Sequence, residues 1–168
     1  MDFKLGVHES LIQPSSAWDF ATDGDAKQLE NDMIEFMVAA GGIGLAANQI
    51  GLTKRVFVMG RNDIKDFPKP FAVFNPVIKE ASSELIIDQE GCLSYPGLFL
   101  TVKRPKWIVA EYQDSDGNLN EIKIDGYLSK CFQHEYDHLD GICFVDRVSS
   151  MKLQLAMKKL RKKINDRT

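Results

Sequence analysis

His134-Glu135-Tyr136-Asp137-His138 places two imidazoles four residues apart with a carboxylate beside the first. On an α-helix, positions four apart stand one turn above the other on one face, so both rings can grip a single cation. The carboxylate then reaches a water on that cation, which is the layout of metal-assisted hydrolysis. The chain has three His in all, and the third, His8, lies far upstream in a segment broken by Pro14, Ser15 and Ser16.

Two His do not complete a catalytic site, which takes three protein ligands and keeps one position for water. The metzincin pattern needs a His at the sixth residue after His138. Gly141 fits that pattern, but the sixth residue is Phe144, so this class is excluded. Cys131 precedes His138 by seven residues, about 10 Å of helical rise. Two ligands of one ion sit at most about 4.5 Å apart, so Cys131 cannot share an ion with both His. Cys143 follows the Gly141 stop, where a turn back is cramped. Cys92 lies in Glu90-Gly91-Cys92-Leu93-Ser94-Tyr95-Pro96-Gly97, a glycine-flanked turn suited to presenting a thiolate. On geometry alone Cys92 leads and Cys143 is second.

The helix that carries the motif is expected to open at Asp125-Gly126 and stop at Gly141. At about 100° per residue, Tyr127, Cys131, Glu135, His134 and His138 share one sector. Leu128, Phe132, Tyr136 and Leu139 fill the next, and Ser129, Lys130, Gln133, Asp137 and Asp140 the remainder. An apolar stripe therefore docks the helix, with the ligand-bearing stripe beside it rather than among the solvated residues.

Other elements must position this helix. Leu29, Met33, Phe36, Met37 and Ala40 recur at helical spacing from Ala26, after Asp23 or Asp25 as a cap and before Gly41-Gly42. The small segment Gly42-Ile43-Gly44-Leu45-Ala46-Ala47-Asn48-Gln49 lacks a P-loop ending. It reads as a tight helix-to-strand connection, or as backbone that a ligand can approach closely. Strands are expected at 55–59, at 71–76 (stopped by Pro76), at 98–102, and as a hairpin of 107–112 with 119–124 around Asp114-Ser115-Asp116-Gly117. Residues 77–88 alternate poorly and hold one or two strands. A short basic amphipathic helix spans 152–163. The expected class is α+β: mostly antiparallel sheets around a central H-E-x-x-H helix, with one N-terminal and one short C-terminal helix.

The 168 residues suit one domain over 1–168, large enough to bury a core without disulfides. A net charge of −3 argues against a dedicated DNA binder. No apolar run approaches the ~18 residues that span a bilayer. Met1-Asp2-Phe3-Lys4-Leu5 has no apolar export segment, so a cytoplasmic location is expected. Three Cys in such a chain favour free thiols, ligation or catalysis over a disulfide framework.

Three separated segments resemble one family. Gly42–Gln49 resembles the G-x-G-L-A-A-x-Q motif of peptide deformylases, Glu90-Gly91-Cys92-Leu93-Ser94 matches E-G-C-L-S, and Gln133–His138 matches Q-H-E-x-D-H, in the same order. The resemblance implies an enzyme that removes formyl from N-formyl-methionyl nascent peptides and releases formate, with the ribosome as a possible transient partner. It implies that Cys92, His134 and His138 hold one divalent ion, Fe2+ foremost, with Zn2+, Ni2+ or Co2+ as substitutes. Glu135 becomes the general base and acid. The Gln49 side chain and the Leu93 backbone N–H stabilise the oxyanion, and the Gly44 backbone pairs with the extended peptide. Ile43, Tyr127 and Cys131 line the methionine pocket, with Glu90 and Gly91 at the substrate cleft. Glu90 and Asp137 are candidate carboxylates behind the ligands, with Arg104 as their partner.

Gly97-Leu98-Phe99 stands where many bacterial members carry a basic residue, which looks nearer the chloroplast-type branch. Tyr127 stands where smaller aliphatic residues are common, implying a narrower pocket. The short C-terminus suggests a compact bacterial or phage-encoded form. Two other readings compete. An H-E-x-x-H protease would take its third ligand from a downstream His or Glu, and a structural metal module would show four protein ligands.

Overall fold

The computed structural model describes residue 5 and residues 9–63 and 68–166. His8, the first four residues, Asp66 and Arg167 lie outside the described residues.

Helix α1 (Ala26–Ala39) begins where Asp25 accepts a hydrogen bond from the Gln28 N–H at 3.0 Å. Asp25, not Asp23, is therefore the cap. Strands β1 (Gly44–Ala46), β2 (Val56–Met59), β3 (Phe71–Ala81), β6 (Trp107–Gln113) and β7 (Leu119–Asp125) form one antiparallel sheet in the order β1-β2-β3-β6-β7. Strands β4 (Leu85–Cys92) and β5 (Tyr95–Pro105) pair as a separate hairpin. Helix α2 (Gly126–Leu139) carries the H-E-x-x-H motif, and α3 (Ser150–Asn165) closes the described chain. The class is α+β, as the sequence indicated.

β2 is buried along its whole length, because both faces of the sheet are covered. On one face Leu29, Met33 and Met37 of α1 pack against Val56, Val58 and Phe74. On the other, Phe132 and Leu139 of α2 pack against Phe57, Val73, Ile108 and Ala110. Phe57 and Phe132 meet edge to face at 5.0 Å. A third cluster joins Leu98, Leu100 and Val102 of β5 to Phe144, with Leu153, Ala156, Met157 and Leu160 of α3 over it.

Two expectations are corrected. Pro76 does not end a strand: β3 continues to Ala81 through a bulge between Phe74 and Val77. Asn75 adopts φ 50° there, and its side chain accepts from the Trp18 N–H and donates to the Trp18 carbonyl and to Gln113. A bulge leaves Pro76, which has no N–H to offer, at a position the ladder does not need. The C-terminal helix is also longer than 152–163, because Ser149 caps it by accepting from the Lys152 N–H.

Candidate metal centre

The third sector of α2, read from the sequence as its solvated side, is buried. Ser129, Lys130, Gln133 and Asp137 are all covered. The β4-β5 hairpin lies across them: Gln133 Nε2 donates to the Pro105 carbonyl at 2.9 Å, and Lys130 Nζ stands 2.5 Å from Asp88 Oδ2. α2 is thus held between the five-stranded sheet and the hairpin, and β4 brings Cys92 over its ligand-bearing face.

Cys92, His134 and His138 each offer one ligand atom, and the three lie within 4.8 Å of one another. Cys92 Sγ is 3.4 Å from His138 Nε2, and the two imidazoles stand perpendicular at 4.8 Å between centroids. Cys143, the runner-up thiol, is not in this group. It is buried beside Tyr95, whose hydroxyl bonds its sulfur. A soft thiolate with two imidazoles is a donor set that fits zinc or iron, and the buried Glu135 Oε2, without a hydrogen-bond partner among the described residues, marks the polar centre beside it.

Behind the ligands lies a charge network in which every oxygen named is engaged. Glu90 Oε2 receives His134 Nδ1 at 3.0 Å. Arg104 grips Glu90 with Nε at 2.8 Å and a second nitrogen at 2.9 Å, and reaches Asp137 Oδ2 at 2.5 Å. Arg147 adds a further ion pair to Asp137. Burial works to raise the Glu90 carboxyl, but the hydrogen bonds from Arg104 and His134 outweigh it and hold the group at about 2. An ionised Glu90 fixes the His134 ring so that Nε2 faces Cys92. Asp137 and Arg104, named from the sequence with Glu90 as a candidate group behind the ligands, are buried and bonded to one another.

Glu135 is 4% exposed, and burial, opposed by His134, pushes its carboxyl up to about 7. Gly44 makes room for it: a Cβ at that position would lie 2.7 Å from Glu135 Cδ. The glycine loop thus serves first to admit a side chain of the chain itself, which the sequence alone did not reveal. Gln49 is oriented by its own loop. Its Oε1 accepts from the Ala46 N–H at 2.8 Å, which fixes the amide so that Nε2 points to Ser94 Oγ at 3.2 Å and Cys92 Sγ at 3.4 Å. Asn48, beside it, donates to the His138 carbonyl and so ties the loop to the end of α2.

A cavity of about 430 Å³ opens in front of these groups. Ile43, Gly44, Gln49, Glu90, Gly91, Leu93, Tyr127, Cys131, His134 and Glu135 all line it with Cys92, while His138 is fully buried behind. Glu90 meets the cavity, although both its oxygens are already bonded. Lys130, Ser94 and Arg147 were not singled out in the sequence. Ser94 was legible as the end of E-G-C-L-S; Lys130 and Arg147 gave no signal beyond their charge.

A family model described as polypeptide deformylase matches residues 4–154. Peptide deformylase 2 of Gloeobacter violaceus is 42% identical, over 87% of this chain and 80% of its own length. A peptide deformylase of Erythrobacter litoralis is also 42% identical, over 96% of this chain and 92% of its own. Among solved structures, the Synechococcus elongatus peptide deformylase in complex with actinonin superposes with a TM-score of 0.83 at 37% identity, covering 94% of this chain and 86% of that one. With matches over this much of its length in family model, sequence and structure, the chain belongs to the polypeptide deformylase family.

Proposed function

We propose that residues 1–168 form one catalytic domain whose centre is Cys92, His134 and His138 holding one divalent ion, with Glu135 moving the proton. The activity of the family is hydrolytic removal of the N-formyl group from an N-terminal methionine, with release of formate. The observation that carries the site assignment is the convergence of three ligand atoms within 4.8 Å beside a buried carboxylate. Three ligands from this set leave a position open, which favours hydrolysis over a closed structural site.

Cys92, His134 and His138 would hold the dication, which would supply Lewis acidity and make a neighbouring water a stronger acid, toward a pKa of ~7. Glu135, adjacent to His134, takes a proton from the attacking water and passes it to the departing amine; a carboxyl poised near neutrality suits both tasks. Gln49 Nε2 and the Leu93 backbone N–H donate to the oxyanion of the tetrahedral intermediate, a contribution of ~10²–10³ per donor. The free edges of β1 at Gly44 and of β4 at Gly91 both face the cavity, which favours an extended peptide lying between them like an added strand. The side chain next to the formyl group then runs along α2 against Ile43, Tyr127 and Cys131.

Fe2+ is the proposed ion, with Zn2+, Ni2+ or Co2+ as substitutes, because a thiolate with two imidazoles accepts any of them. No helix among the described residues is long and apolar enough to cross a membrane. A cytoplasmic location, where formylated nascent chains appear, fits the chemistry. Transient contact with the ribosome, which presents nascent chains, is part of the proposal. The decisive test is formate release from formyl-Met-Ala-Ser by protein loaded anaerobically with Fe2+. Release at enzymatic rates is expected; none with Fe2+, Ni2+ or Co2+ overturns the proposal.

A further inference from the structure

Lys130 lies on the side of α2 that the sequence assigns to solvent, yet its side chain is only 6% exposed. Burying an ammonium is costly unless it is paired and hydrogen-bonded. Here Nζ stands 2.5 Å from Asp88 Oδ2, 3.0 Å from the Gln89 carbonyl and 4.4 Å from the centroid of the Tyr127 ring. The two oxygens belong to β4 and the ring belongs to α2, one turn before Lys130. These two elements face each other across the cavity, whose lining includes Gln89, Tyr127, Lys130 and Cys131. Among the described residues no other Lys or Arg lines it.

We propose that Lys130 is a specificity-determining positioning residue, which straps α2 to β4 through Asp88 and seats the Tyr127 ring, so that the side-chain pocket admits a slender unbranched chain and resists an aromatic one. The inference rests on the reading that this cavity receives the side chain next to the formyl group.

The physical argument is one of stiffness. A pocket wall packed from aliphatic side chains yields to a larger guest at modest cost, because such side chains change rotamer. This wall is held by an ion pair and a carbonyl hydrogen bond that must both break before β4 moves away from α2. Tyr127 is half-exposed, and the ammonium over its face adds to what holds the ring against α2. Because Asp88 is largely exposed, the strap can be loosened from its outer end without opening the core.

The test compares kcat and KM on formyl-Met-Ala-Ser and formyl-Phe-Ala-Ser for Fe2+-loaded wild type, Lys130→Met and Asp88→Asn. Methionine keeps the stem of Lys130 and removes its charge, while Asp88→Asn removes the outer anchor at an exposed position where folding is not at stake. The wild type should prefer the methionyl substrate. Both variants should raise the ratio of kcat/KM for the phenylalanyl over the methionyl substrate, by ~10-fold for Lys130→Met and less for Asp88→Asn. The gain should lie in a lower KM for the phenylalanyl peptide, which a merely destabilised protein would not show. A ratio within about twofold of wild type in both variants overturns the inference while leaving the proposed activity standing. A wild type that releases no formate from either peptide overturns both.

Discussion

In the proposed mechanism Glu135 and His134, neighbours in sequence, have opposite needs: one stays free to move a proton, the other is held still. The structure meets both. Glu90 holds His134 at 3.0 Å, whereas Glu135 Oε2 has no partner among the described residues and sits in the space that Gly44 leaves. Glu135→Gln keeps the shape and removes the proton carrier, so kcat should fall by ~10²–10⁴ while metal stays near one per chain. Activity measured beside metal analysis by atomic emission checks this. Loss of the metal together with the activity would make Glu135 a ligand and void the assigned role. The two His, the Glu and the candidate thiols were legible from residue type and spacing. The job of Gly44 was not, because a missing side chain does not announce which neighbour fills its place.

The elements that matter most are α2 and the β4-β5 hairpin, and Arg104 of β5 joins them. It lies between Glu90 and Asp137, all three nearly inaccessible to solvent. Removing one partner of such a group leaves charge buried without compensation, at a cost of ~3–5 kcal/mol. Arg104→Met should therefore lower the thermal midpoint by ~10 °C in a chain of this size. It should also weaken metal binding ~10–100-fold, since Glu90 would no longer be held to orient His134. Scanning calorimetry and a competitive chelator titration measure the two effects. An unchanged midpoint would mean that the network contributes nothing to the fold. The periodicity of α2 revealed its docking stripe, but its polar sector was misread as solvated. Helical phase gives directions around an axis; it does not say whether another element lies in that direction.

For the molecule as a whole, burial of thiols in the interior sets an alkaline limit on stability. Burial raises the Cys143 thiol from an ordinary 9.0 to about 11, against the opposing hydrogen bond from Tyr95, and raises Cys131 well above its ordinary value. A folded value above the unfolded one means that the stabilisation is complete below pH 9.0 and is lost as pH rises through about 11. Between pH 8 and 10.5 the wild type should lose ~1–2 kcal/mol more than Cys143→Ala, read from urea denaturation at the two pH values. Equal losses would show that Cys143 ionises as freely in the folded state as in the unfolded one.

The sequence by itself determined the chemistry and the class: the ligand pair, the carboxylate beside it, the strand-rich pattern with three helices, and three motifs in family order. Each of these is local, written in residue type and in periods of two or 3.6. What only the tertiary structure decided is which distant groups meet. Cys92 and the group of Glu90, Asp137 and Arg104 were candidates from residue type and motif, but only the crossing of β4 over α2 brings Cys92 to the two His and closes the hairpin over the polar stripe, and the same crossing makes Lys130 a pocket wall. Contacts between residues dozens of positions apart depend on how layers stack, and no local pattern in the chain records that stacking.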